Sequence, residues 1–208
     1  MPLAERKTTT IIEHPAYART AYPINELLRR RWSARSFAAT PVAPATLGSL
    51  FEAARWSPSA GNGQPWSFIV ADKTRDPEGF ARALATLTES NQAWVQNAPV
   101  LIFAITRRIR PDGKEHSRAQ FDLGLAVKGL VVEAIELSLN VRQMAGFDAE
   151  AVRALYQVPA EHDPIVAIAV GYAAPDPVTP PPVRERKPLD EFVFSGQFGR
   201  AYEGLWGE

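Results

Sequence analysis

A chain of 208 residues, 46% hydrophobic and 22% charged, carries enough apolar material for one substantial core and has the balance of a soluble globular protein. Lys+Arg and Asp+Glu number 23 each, so bulk charge suggests neither a nucleic acid nor an anionic membrane as partner, and any anion site must be local. Cysteine is absent, which excludes disulfides, thiolate metal sites and thiol nucleophiles and is compatible with a reducing, cytoplasmic setting.

Residues 1–22 read as a weakly structured, flexible extension. Polar Thr8, Thr9 and Thr10 precede only Ile11 and Ile12, which is not the apolar core of a signal peptide. Ile24 to Arg31 is expected as a short helix with Ile24, Leu27 and Leu28 on one face. Pro44 to Trp56 is a stronger helix, with Leu47, Leu50, Phe51 and Ala54 at three-four spacing and Pro44 suited to its first turn. Then comes Ser57-Pro58-Ser59-Ala60-Gly61-Asn62-Gly63-Gln64-Pro65-Trp66, before a strand expected over Trp66 to Ala71. Its prolines fix backbone angles and its glycines permit close approach of a ligand. Ser59, Asn62 and Gln64 offer hydrogen-bonding groups and Trp66 a flat face, a combination suited to a planar heterocycle. The bland alternative is an ordinary structured turn.

Pro77 to Glu89 is expected as one helix, and Pro99 to Ile105 as an apolar strand buried on both faces. Phe121 to Leu139 reads as a long helix, apolar around most of its circumference, on which Gly124 and Gly129 would admit close packing. No window reaches the length of a membrane span. Asp148 to Tyr156 is a short helix capped by Asp148, and Ile165 to Tyr172 is the last clear strand. Interspersed helices and strands predict an α+β sandwich around one modest sheet, over residues 23–172. Beyond it, Pro175, Pro177, Pro180, Pro181, Pro182 and Pro188 mark an extended arm over residues 173–208. The arm carries Phe192, Phe194, Phe198, Tyr202 and Trp206, which must be covered either by their own domain or by a partner subunit, a homodimer being the commonest symmetric form.

Arg31, Ser33 and Arg35 alternate, so in an extended segment their side chains emerge on one side. Guanidinium groups flanking a hydroxyl make a phosphate receptor, although a basic helix end facing solvent is the simpler reading. Arg184, Arg186 and Lys187 form a second basic cluster that either joins the first on one phosphate or serves as solubilising surface. Gly61-Asn62-Gly63 is followed by Gln64-Pro65-Trp66 and so does not complete a dinucleotide fingerprint, and no phosphate-loop lysine motif or serine elbow is present. His14, His116 and His162 lack metal-ligand spacing and are expected at the surface.

In order along the chain, Arg31-Trp32-Ser33-Ala34-Arg35-Ser36-Phe37, the Ser57–Trp66 loop, Ala98-Pro99-Val100-Leu101-Ile102, Asp122-Leu123-Gly124, Met144-Ala145-Gly146-Phe147-Asp148 and Val170-Gly171-Tyr172 with Arg184-Glu185-Arg186-Lys187-Pro188-Leu189 resemble the motifs of the FMN-dependent nitroreductase family. The resemblance runs from about Ile24 to Leu189. It implies a central, mostly antiparallel sheet flanked by helices, and an intertwined homodimer whose C-terminal arm reaches the partner and completes two interfacial FMN sites. It places Arg31, Trp32, Ser33 and Arg35 along the flavin phosphate, ribityl chain and pyrimidine edge. Pro58, Ser59, Asn62 and Gln64 would approach from the other subunit, Met144, Ala145 and Gly146 would lie near the reactive N5, Arg184 and Arg186 would close the phosphate pocket, and Asn91 would face the pyrimidine. Trp94 stands where some members carry a lysine. The implied activity is ping-pong transfer from NAD(P)H to nitroaromatics, quinones or similar small-molecule acceptors, with no catalytic acid–base side chain. A cation such as Arg35 beside the flavin N1–O2 edge would favour the reduced form. Flavin-dependent dehalogenation, flavin breakdown and non-catalytic flavin binding are the alternatives.

Overall fold

Four strands form the sheet of the computed structural model, which describes residues 17–175 and 184–205. They are β1 (Trp66–Asp72), β2 (Val100–Arg107), β3 (Leu139–Met144) and β4 (His162–Tyr172), ordered β1-β2-β4-β3 with every neighbouring pair antiparallel. Thr8 to Ile12, His14, Pro177, Pro180 to Pro182 and Trp206 lie outside the described residues.

The apolar run in β2 explains the layering. Val100, Ile102 and Ala104 face one cluster while Leu101 and Phe103 face the other, so both sides of the strand are buried, as its composition predicts. One face is covered by α2 (Pro44–Arg55) and α5 (Ala119–Glu136), through Leu47, Leu50, Leu123, Ala126 and Leu130. The other is covered by α3 (Pro77–Ala85), α4 (Glu89–Val95) and α6 (Ala149–Tyr156), through Phe80, Val95 and Val152. A short α1 (Glu26–Arg30) leads into the segment carrying Arg31, and Asp148 caps α6 by accepting from the Glu150 and Ala151 amides. A Cβ on Gly129 would stand 2.7 Å from the Ala53 carbonyl, so glycine is required where α5 meets α2. Gly124 meets nothing within 4 Å and has no such role within one chain. Among the described residues, no helix is long and apolar enough to cross a membrane.

Three sequence expectations need correction. The helix expected over Pro77 to Glu89 stops at Ala85, and α4, absent from the sequence reading, starts at Glu89, because residues 86–88 bond to residues 146–148 instead of continuing the helix. The Thr88 amide donates to the Gly146 carbonyl at 3.0 Å, the Asp148 amide donates to the Thr86 carbonyl at 2.8 Å, and Leu87 bridges Phe147. The long helix ends at Glu136, and Ser138 takes φ +60 to turn the chain into β3, a strand absent from the sequence reading. His116 is buried at 6% exposure, not at the surface.

Candidate functional site

The segment after α1 runs beside the sheet edge, with Ser33 bridging Val141 of β3 in parallel and Phe37 bridging Ala173. Ala34 and Phe37 are buried, which breaks a strict alternation, Trp32 and Ser36 line a separate cavity of about 370 Å³ with Tyr17 and Asn140, and Arg31 Nη1 donates to Ser33 Oγ at 3.2 Å. Trp32 therefore does not join Arg31 and Ser33 through its side chain. The second basic segment closes on the first across 153 positions of sequence, with Arg184 Nη1 donating to the Arg31 carbonyl at 2.6 Å. Burial, then the charges of Arg184 and Arg186, hold the Arg31 guanidinium below its ordinary value. Lys128, which the sequence reading missed, projects from α5 into the same field, and desolvation followed by the Arg31 charge lowers its ammonium. Among the described residues, every charge that moves Arg31 or Lys128 is another cation.

The Ser57–Trp66 loop lies at the start of α5. Its backbone is left-handed at Gly61 (φ +57), Asn62 (φ +53) and Gln64 (φ +44), a conformation costly for the two non-glycine residues. Internal bonds hold it. The Gln64 amide donates to Ser59 Oγ at 3.0 Å, and Gln64 Nε2 donates to Asn62 Oδ1 at 3.1 Å and to the Asn62 carbonyl at 3.2 Å. The anchor below is Asp122, 2% exposed in the first turn of α5, whose Oδ2 accepts from the Ala60 amide at 3.1 Å. His116 Nε2 stands 3.9 Å from the same oxygen, beyond hydrogen-bond distance, and a Cβ at position 63 would lie 2.9 Å from that nitrogen, so any larger residue there would have to displace the buried imidazole. Ser57 Oγ adds a bond to the Leu125 carbonyl at 3.2 Å. Pro58, Asn62 and Gln64 point outward and are exposed. Among the described residues, no hydrogen bond joins this loop to Arg31 or Ser33.

The third group is drawn together by the break between α3 and α4. Asn91 Nδ2 donates to the Gly146 carbonyl at 3.0 Å, and a Cβ at Gly146 would meet that nitrogen at 2.6 Å. Met144 buries its side chain in the core and leaves only backbone to the site, whereas Ala145 is exposed. Arg142, also missed, leaves β3 beside these residues. Its Nη1 donates to the Ser33 carbonyl at 2.7 Å and its guanidinium lies 5.4 Å from the Trp94 ring centre. Burial, then Arg35, lowers its ordinary value. A lone charge inside the apolar stretch around Lys128 was the available signal for that residue, whereas Arg142 sits between polar Asn140 and Gln143 and had none.

The architecture is an antiparallel four-stranded sheet between two helical layers, with the cations of Arg31, Arg142 and Arg184 gathered beside its β3 edge. A solved structure described as an oxidoreductase containing FMN matches with a TM-score of 0.81 and 31% identity, covering 86% of this chain and 95% of that one. The Nitroreductase family model matches residues 28–172, and the chain belongs to the nitroreductase family, whose members are oxidoreductases. A Streptomyces coelicolor protein provisionally named NADH dehydrogenase/NAD(P)H nitroreductase is 30% identical over 165 residues, 70% of this chain and 80% of its own. An iodotyrosine deiodinase of Nematostella vectensis is 25% identical over 195 residues, 80% of this chain and 72% of its own.

Proposed function

We propose that this oxidoreductase binds FMN and works as a cytoplasmic homodimer, taking reducing equivalents from NAD(P)H and delivering them to electron-poor acceptors such as nitroaromatics or quinones. The observation that carries the reading is the closure of Arg184 onto Arg31, with Arg186 and Lys128 adding like charge. Like charges drawn together in this way match a phosphate monoester, whose charge the cluster would share through paired donors. FMN would supply the hydride chemistry between nicotinamide and acceptor.

The chain's own groups divide the remaining work. Arg31, Ser33, Arg184, Arg186 and Lys128 hold the phosphate. Arg35 places charge at the pyrimidine edge, Asn91 fixes the backbone of Ala145 and Gly146 against the ring, and Trp32 and Met144 contribute backbone. Pro58, Ser59, Asn62 and Gln64 belong to the half-site of a second copy, because in one chain the exposed loop makes no bond to Arg31 or Ser33. The exposed side of α5, with Phe121 66% exposed beside Gly124, is a suitable seam for that copy. In the C-terminal arm, Phe192 is 56%, Phe198 90% and Tyr202 45% exposed on the single chain, which favours cover by a partner over packing on their own domain. Residues 23–172 then form the FMN-binding body and 173–208 the arm.

The test is reconstitution of purified protein with FMN, followed by anaerobic titration with NADH and NADPH and a panel of nitroaromatic, quinone and halogenated aromatic acceptors. Bleaching of a yellow protein by nicotinamide, and its reoxidation by nitroaromatics or quinones, is expected. Preferential halide release would move the reading toward a dehalogenase, and absence of turnover toward a flavin-binding protein. A protein that stays colourless after reconstitution overturns it.

A further inference from the structure

We propose that Arg142 is a second cation at the electron-rich edge of the cofactor, held beside Arg35 to stabilise negative charge on the reduced ring. This rests on the FMN reading above. Val141 faces the α2/α5 cluster and Met144 the opposite one, so the side chain of Arg142 leaves β3 on the α4 side. There it is fixed from two directions. Nη1 donates to the Ser33 carbonyl at 2.7 Å, and the guanidinium lies 5.4 Å from the centre of Trp94, whose ring stacks on Phe37 at 6.1 Å and 18°. Trp94 Nε1 is buried with no partner among the described residues, so the indole serves as a platform and not as a link in a polar network.

The surroundings of Arg142 are those of a charge awaiting an anion. Its neighbouring charge is Arg35, and it makes no ion pair among the described residues. Asn91, one turn before Trp94 on α4, holds the Gly146 carbonyl. Arg142 thus stands between the groups assigned to the ring, with Arg35 on one side and, past Trp94 on α4, Asn91 with Gly146 on the other. A fixed cation in a partly desolvated site favours whichever cofactor state carries more negative charge there.

The experiment compares midpoint potentials of FMN-loaded wild type, R142K and R142Q by anaerobic spectroelectrochemistry, with FMN dissociation constants and melting temperatures measured in parallel. In wild type, reduced FMN is expected to bind more tightly than oxidised FMN. R142Q is expected to lower that preference about tenfold, a fall of about 30 mV for a two-electron couple, while R142K stays near wild type. A residue that merely supported the strand would change the melting temperature and leave the potential in place, so an unchanged potential in folded, FMN-loaded R142Q overturns the proposal. Should R142Q fail to fold, wild type decides: equal or weaker binding of reduced FMN overturns it, and tighter binding with R142K near wild type supports it. Failure of the wild type to take up FMN is a separate result and overturns the functional reading together with this one.

Discussion

The basic cluster and the Ser57–Trp66 loop solve opposite problems. The cluster is gathered from residues 31–33, residue 128 and residues 184–186, and its members oppose one another electrostatically. The loop is one contiguous stretch whose left-handed residues are stabilised by its own hydrogen bonds and by a buried carboxylate. A site built from charge gains its stability when the ligand arrives, whereas a site built from backbone shape must hold that shape in advance. Mutations in the first should change affinity more than stability, and mutations under the second should do the reverse.

The widest separation is expected from Arg31→Ala. Charge-assisted hydrogen bonds contribute about 1.5–3 kcal/mol each, so loss of Arg31 should weaken FMN binding roughly ten- to a hundredfold. The apoprotein should hold its melting temperature, because the lost bond to Ser33 Oγ is offset by relief of repulsion from Arg184 and Arg186. Fluorescence titration with FMN and calorimetry of the apoprotein measure the two effects. Unchanged affinity would mean that the cluster does not bind the phosphate.

Asp122→Ala should invert that pattern. It strips the acceptor from the Ala60 amide beneath the loop, at a cost of about 1–3 kcal/mol for the stranded donor. In a chain of this size that lowers the melting temperature by about 2–4 °C per kcal/mol. Asp122→Asn keeps an oxygen acceptor and should lie between Asp122→Ala and wild type. If Asp122→Ala melts like wild type, the loop holds its shape without help from α5.

The same contrast explains what could be read in the sequence. The loop was legible because its prolines, glycines and amides are adjacent in the chain and their meaning is local. β2 was legible because six successive buried residues, Val100 to Ile105, admit no amphipathic alternative. The two arginine segments could be paired on one phosphate only as a possibility, since the contact of Arg184 with Arg31 depends on the fold. β3 was missed because its edge position admits polar Asn140, Arg142 and Gln143, and because a left-handed Ser138 joins it to α5 without a recognisable linker. Nothing local announces that residues 86–88 will bond to residues 146–148 in place of helix continuation, yet that exchange brings Asn91 to Gly146. Lys128 and Arg142 needed knowledge of which way each helix or strand faces.

The smallest effect sharpens the comparison through pH. The folded protein holds the Lys128 ammonium below its ordinary value of 10.5, through desolvation and then Arg31. Between the lowered folded value and that of the unfolded chain, the unfolded state binds more protons, so apoprotein stability rises with pH. The contribution is fully present above the unfolded value and is lost as pH falls through the folded one. Lys128 is exposed, so solvent and salt screen the effect and keep it small. Melting curves of the apoprotein at low salt, taken from pH 8 to about 10.5, should show a steeper rise for wild type than for Lys128→Met. Bound FMN should flatten the wild-type curve, because a phosphate beside the ammonium restores its proton affinity. A slope equal in both proteins would remove Lys128 from the cluster, while a slope that persists with FMN bound would place the phosphate elsewhere.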